Sequence, residues 1–331
     1  MTKLSSRKVV FRTEGGTTVG LGHVMRCLAL ADEFSKRGHH CRFAGTVPDF
    51  ITHRLTDTPT IHLDSTASDW KNHEFVEDVT SSDLLVTDHY NIDVSWQNNS
   101  PVPVLAITDP PLDEQSATLT LLPTDFTTET TKTILTAPAH TLIGNEFRAF
   151  RRKPKSGRRI LVSCGGGNDA GLTQRVLKAL RSSFDLMTTG TTVVIGMGEK
   201  ANVQNIQKMA ATIPNVHFVE REPNMAQQVS AHDIAIGTPA GSALERCCLG
   251  LAQILIPIAE NQIALGNALA DKNAALVLPE GANPDDIATA ASKLFDDNAL
   301  RSKIASNAFH LVDGCGASRV VDVVEERIFA R

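Results

Sequence analysis

A chain of 331 residues, 42% of them apolar, can bury two separate cores at roughly 150 residues per domain. Its net charge of −5 excludes the basic face that nucleic-acid partners demand, although backbone N–H groups at helix starts can still hold anions. Six scattered cysteines without C-x-x-C or zinc-type spacing read as reduced core thiols, and no signal-peptide core or membrane-length apolar run occurs, so a cytoplasmic protein is expected.

The first predicted strand is "KVVFRT". A helix over 22–37 follows, with Val24, Cys27, Leu28, Ala31 and Phe34 recurring at three-to-four spacing. "LLVTD" reads as a further strand, whereas residues 110–140, rich in Thr and Pro, carry no clear pattern. "RKPKSGRR" at 152–159 is polar, basic and broken by proline and glycine, as a linker is. Beyond it the alternation restarts. "RILVSC", "TVVIG", "NVHFVE", "DIAIG", "AQILIPI" and "AALVLP" are strands separated by helical patterns, and two helices close the chain. Such alternation predicts βαβ units and parallel sheets, an α/β protein of two Rossmann-like domains over 1–151 and 152–331. The last helix can pack back on the first domain. The inter-domain cleft is the default binding place.

Five strand ends carry the residues with chemistry in them. In "GLGHVMRCLALA", Gly20 and Gly22 precede His23 in the first turn of its helix, with Arg26 three residues on. A helix N-terminus disfavours imidazolium, so His23 is expected neutral, open to the cleft and able to accept a proton. The alternative is a histidine that merely caps its helix. "TDHY" closes a strand with Asp88, His89 and Tyr90, the chain's single tyrosine, as substrate contacts or core filler. "SCGGGNDAG", with Gly165, Gly166 and Gly167, is either a tight turn or a phosphate cradle at a helix start. In "DIAIGTPAGSALERCCLG", Ala240, Gly241 and Ser242 can face a diphosphate. Glu245, one turn further, is either a ribose-binding carboxylate or a first-turn acid favoured by the helix dipole. "AENQ" places Asn261 and Gln262 at another strand end.

These segments, with "TLIGNEFRAFR" and "LVDGCGASRVVDVV", occur in the order found in one family. The chain resembles the UDP-sugar hydrolases of pseudaminic acid biosynthesis. That group includes spore-coat polysaccharide proteins and is related to the UDP-N-acetylglucosamine transferase of peptidoglycan synthesis. The resemblance implies a glycosyltransferase-B fold and inverting hydrolysis of a UDP-sugar of the diacetamido-trideoxyhexose kind, without metal or other cofactor. It implies His23 as the base that activates water and Tyr90 at the sugar. Glu245 would lie at the ribose, Asn261 and Gln262 beside the sugar, Gly165–Gly167 and Ala240–Ser242 at the diphosphate, and Val219 to Arg221 near uracil. Arg12 and Glu14, in "RTEGG", fall on a segment that would line the sugar pocket, with Glu14 where the family usually has aspartate. The implied partner is this small molecule alone, bound by a monomer or weak homodimer. A glycosyltransferase using an acceptor other than water is the alternative reading.

Overall fold

The computed structural model describes residues 5–16, 20–48, 60–63, 66–109, 116–152, 157–165, 169, 171–182, 187, 189–196 and 200–330. The chain divides into two compact units, Met1–Gly144 with Cys315–Arg331, and Asn145–Gly314.

The first unit contains β1 (Lys8–Thr13), α1 (Gly22–Lys36), β2 (His40–Ala44), β3 (Thr60–Ile61), α2 (His73–Thr80), β4 (Leu84–Asp88), α3 (Val94–Gln97), β5 (Val104–Ile107), β6 (Leu119–Leu122) and β7 (Ile134–Thr136). Its sheet runs β3-β2-β1-β4-β5-β6-β7, every neighbouring pair parallel. Both faces are covered, which is why β1 and β4 read as continuous apolar runs and not as alternation. Val9, Phe11 and Val86 pack with Val24, Cys27, Leu28 and Phe34 of α1 on one face. Val10 and Leu85 turn to the other, against Phe75 and Trp96. Phe11 stacks on Phe43 at 4.9 Å and meets Phe34 edge-on at 6.3 Å. Such ring pairs contribute about 0.5–1.5 kcal/mol each beyond their buried area.

The second unit contains α4 (Asn145–Phe150), β8 (Ile160–Ser163), α5 (Leu172–Ser182), β9 (Thr191–Ile195), α6 (Lys200–Ala210), β10 (Val216–Glu220), α7 (Met225–Ser230), β11 (Ile234–Gly237), α8 (Gly241–Cys248), β12 (Ala252–Leu255), α9 (Ile263–Asp271), β13 (Leu276–Val277), α10 (Pro284–Asp296) and α11 (Asn298–Leu311). The parallel order is β10-β9-β8-β11-β12-β13. Ile160, Val162, Ile234, Ile236 and Ile254 meet Leu172, Val176 and Leu177 of α5 and Ile287 and Leu294 of α10 in one core.

Each sheet has one place where the strand order reverses, and open α/β sheets bind ligands outside the strands' carboxyl ends there. In the first unit it lies between β1 and β4, where Thr13 pairs with Asp88. In the second it lies between β8 and β11, where Ser163 pairs with Gly237. A Cβ on Gly237 would fall 2.1 Å from the Ser163 carbonyl oxygen, so only glycine permits that close approach.

The division between units falls at Gly144, earlier than the expected boundary at 151. Ahead of the polar stretch at 152–159, Arg151 donates to the carbonyls of Cys248, Phe309 and Val312, and α4 packs on α7 and α8. The chain ends in three helices where two were expected. Asp297 caps α11 and so separates it from α10, and α12 (Gly316–Val324) follows, continuing into a π turn at Glu325–Phe329. α12 belongs to the first unit, its Val320, Val321 and Val324 lying in the core against α1. Arg37 fastens it through Asp322, Glu325 and the Ser318 carbonyl. The Thr-rich region lacks periodicity because its side chains serve turns: Asp125 accepts from the backbone and hydroxyl groups of Thr127 and Thr128.

Candidate active site

At the first sheet's reversal point β4 ends in Asp88, fully buried, and α1 brings His23 and Arg26 to it. His23 Nδ1 lies 2.5 Å from Asp88 Oδ1. Arg26 grips both carboxylate oxygens, Nε to Oδ2 at 2.5 Å and Nη2 to Oδ1 at 2.8 Å, and reaches Asp109 through Nη1 at 2.6 Å. Burial would raise the Asp88 carboxyl, but Arg26 and His23 outweigh it and hold the group below the usual carboxylate range. A carboxylate only accepts, so His23 Nδ1 carries a proton and donates it. The approach of Arg26 Nη2 to the same nitrogen is therefore donor against donor. In the neutral ring the lone pair is left on Nε2, the arrangement of a base held in one tautomer by an acid.

The capping alternative does not hold: the N-cap of α1 is Leu21, with no side-chain cap bond, and the His23 ring is bonded to Asp88 instead. Nor is the imidazole open, as the sequence reading expected. His23 is only 4% exposed, and Tyr90, 59% exposed, packs edge-on against it at 4.5 Å between ring centres. Gly20 also differs from expectation. Its N–H and carbonyl are both paired with Gly16, so that amide is not available to a ligand, whereas Gly22 stands exposed at the helix start.

His89 and Glu14 come together, Nε2 to Oε2 at 3.1 Å. Asn91 N–H donates to His89 Nδ1, so Nε2 bears the proton and donates to Glu14. Burial, then the nearby Arg12 and His23, depress the His89 imidazole from 6.5 to about 4. The unfolded chain therefore takes up this proton first, and stability that is complete above pH 6.5 is lost as pH falls towards 4. The thermal midpoint of the wild type should accordingly fall more steeply over that interval than that of His89→Gln. Parallel curves would remove His89 from the acid response.

Arg12, expected to contact substrate, is instead 1% exposed and taken up by Asp69, Nε to Oδ2 at 2.6 Å and Nη2 to Oδ1 at 3.3 Å. A further donation, from Nη1 to the Thr13 carbonyl, braces the end of the strand just before Glu14.

In the second unit the glycine loop after β8 is described only at Gly165, which has φ of +108°; Gly166 and Gly167 lie outside the described residues. The following helix does not offer a bare N-terminus. Asp169, 5% exposed, accepts from the amides of Gly171 and Thr173 with its two carboxylate oxygens. α8 is different: its cap is Ala240, which gives no side-chain bond. Gly241 is exposed and Ser242 and Glu245 are partly so on its first two turns, leaving unpaired amide groups and a positive dipole end. Arg221 follows β10 in the left-handed region, φ +55°, its amide bonded to the Ile195 carbonyl, with Val219 two residues before it in the strand. Asn261 and Gln262 lie in a single 3-10 turn after β12, and Gln262 Oε1 accepts from the Ile258 amide. Burial pushes the Cys164 thiol up to about 12, which leaves it protonated beside the glycine loop. Among the described residues no group of three His, Cys, Asp or Glu side chains could hold a metal ion, and no helix is long and apolar enough to cross a membrane.

Sequence reasoning missed Asp69, Asp169 and Arg246. Asp169, three residues before the first residue of an apolar-periodic helix, carried a capping signal that could have been read. Arg246 was visible as a charge running straight into the apolar Cys247, Cys248 and Leu249 of a helix pattern. Asp69 had no local signal.

Residues 159–314 match the glycosyltransferase family 28 C-terminal domain, a span lying within the second unit. Over nearly its full length the chain superposes on MurG of Acinetobacter baumannii, with a TM-score of 0.69 and 17% identity over 97% of this chain and 99% of that one. The fold is glycosyltransferase-B. The calicheamicin glycosyltransferase CalG4 has the same architecture, with a TM-score of 0.65 at 16% identity, covering 98% of each chain. In sequence the chain is similar to the spore coat polysaccharide biosynthesis protein SpsG of Bacillus subtilis (strain 168), 26% identical over 198 residues. That alignment spans 58% of this chain and 58% of the relative.

Proposed function

We propose that this protein cleaves a UDP-sugar at the anomeric C–O bond, with water as acceptor and inversion at the carbon. The observation that carries the reading is the His23–Asp88 pair: a carboxylate takes the Nδ1 proton and leaves Nε2 of the neutral ring as a base. Water loses a proton to Nε2 as its oxygen attacks the sugar carbon. The bond to UDP breaks with its electron pair leaving on the phosphate oxygen. Asp88, held ionised by Arg26, stabilises the imidazolium that forms. Tyr90, Glu14, His89, Asn261 and Gln262 are assigned to the sugar, with Tyr90 as the movable cover of the base. The uncapped start of α8 receives the diphosphate, where Gly241 and Ser242 stabilise charge on departure. Glu245 accepts from ribose hydroxyls, and the backbone from Val219 to Arg221 receives uracil.

The relative's name places it in polysaccharide synthesis, and the resemblance noted in the sequence supports a nucleotide sugar as donor. Water is preferred as acceptor because His23 is nearly enclosed, which suits a small nucleophile better than a second sugar. Transfer to a hydroxyl acceptor is the second reading, favoured by the glycosyltransferase neighbours in fold.

Incubation with a panel of UDP-sugars separates the two. Release of UDP and free sugar in buffer alone supports hydrolysis, release only on adding an acceptor supports transfer, and no release from any donor overturns both. For Glu245→Ala, the loss of a charged hydrogen-bond acceptor of about 1.5–3 kcal/mol should weaken UDP roughly ten- to a hundredfold. An unchanged UDP dissociation constant, measured by calorimetry, would remove Glu245 from the ribose.

A further inference from the structure

At the second sheet's reversal point the ends of β8, β11 and β12 lie side by side, and one side chain binds all three. Arg246, on the second turn of α8, is 1% exposed. Its Nε donates to Gln253 Oε1 on β12 at 2.8 Å, Nη1 to the Ser163 carbonyl ending β8 at 3.2 Å, and Nη2 to the Thr238 carbonyl just beyond β11 at 3.0 Å. A fourth donation, Nη1 to Ser242 Oγ at 3.4 Å, leaves the serine hydroxyl proton directed elsewhere. These acceptors are all uncharged. Burial lowers the guanidinium from the usual arginine range, against the pull of the Glu245 carboxylate, but an arginine remains charged at neutral pH.

A buried cation among neutral acceptors is costly, and tying strand ends together does not require charge. Gln253 does part of the same work with an amide, donating to the Ala243 carbonyl. What the guanidinium adds is a fixed positive charge beneath the 238–242 loop and behind the uncapped start of α8. We propose that Arg246 is a positioning residue for the anionic part of the ligand: it sets the loop and orients the Ser242 hydroxyl, and its charge draws the diphosphate to this helix start. The inference rests on the assignment of the diphosphate to α8 made above.

The test is calorimetric titration of UDP, uridine and inorganic pyrophosphate into the wild type, Arg246→Met, Arg246→Lys and Gln253→Glu. Arg246→Met should weaken UDP and pyrophosphate at least tenfold by removing the charge, and leave uridine within about twofold. Arg246→Lys, which keeps the cation but not the fork, should recover part of the loss. If Arg246→Met does not fold, as judged by circular dichroism, Gln253→Glu answers the question with the arginine in place. A carboxylate against Nε neutralises the cation, and UDP and pyrophosphate should weaken while uridine does not. Equal losses for uridine and UDP would make Arg246 merely structural, and unchanged affinity for both anions would overturn the proposal outright. Wild-type protein that binds pyrophosphate with no preference for UDP overturns the uridine assignment alone, because the variants are still compared on pyrophosphate. Wild-type protein that binds neither overturns both.

Discussion

Replacing His23 with alanine is expected to lower kcat for UDP release by about 10²–10⁴-fold, the usual contribution of a positioned general base. The UDP dissociation constant should stay within about threefold, because the groups assigned to the nucleotide belong to the other structural unit. The loss should lie in kcat and not in KM, since the proton moves only as the bond to the leaving group breaks. Asp88→Asn is the companion variant. It removes the charge that supports the imidazolium and leaves Arg26 with Asp109 alone as a carboxylate partner. It should therefore lose much of the same activity with His23 still present. A His23→Ala enzyme that turns over at near the wild-type rate would end the mechanism, whatever the substrate.

The largest effect on stability is expected from Asp69→Ala. The Arg12–Asp69 pair has side-chain exposures of 1% and 0%, so removing the carboxylate strands a guanidinium in the core of the first unit. Breaking one side of such a pair costs about 3–5 kcal/mol. For a unit of this size that lowers its thermal midpoint by roughly 6–20 °C. The double variant Arg12→Met with Asp69→Leu removes both charges, and it should recover most of the loss, because a buried ion pair exchanged for apolar groups is often neutral. Calorimetry on the three proteins decides the matter. A single variant within 1 kcal/mol of the wild type, judged against the scale of about 3–5 kcal/mol, would mean the pair is less enclosed than its geometry implies.

Much of the architecture was legible in the chain itself. The spacing of Val24, Cys27, Leu28 and Phe34 predicted α1 to within a residue of its observed end, because a helix repeats its buried face every three to four positions. Short strands such as "ILVS" and "IAIG" were legible as apolar runs between turns. The Thr-rich stretch was not, since its side chains answer to local turns and not to a buried face. The candidate site was legible in part. Strand ends marked where Asp88, His23 and Glu245 would emerge, yet gave no means of telling that Arg12 turns inward or that Tyr90 covers the imidazole.

The sequence by itself determined the alternation of strands and helices and the parallel sheets, since these follow from periodicity, whereas the strand order that sets the two reversal points came only with the fold. The tertiary structure alone decided which charges meet. His23 and Asp88 are 65 positions apart and Arg12 and Asp69 are 57, and in each case other carboxylates lay nearer in sequence. Pairing at that range is set by which strand ends the sheet brings together, and hydrogen bonding fixes it only once solvent has been excluded.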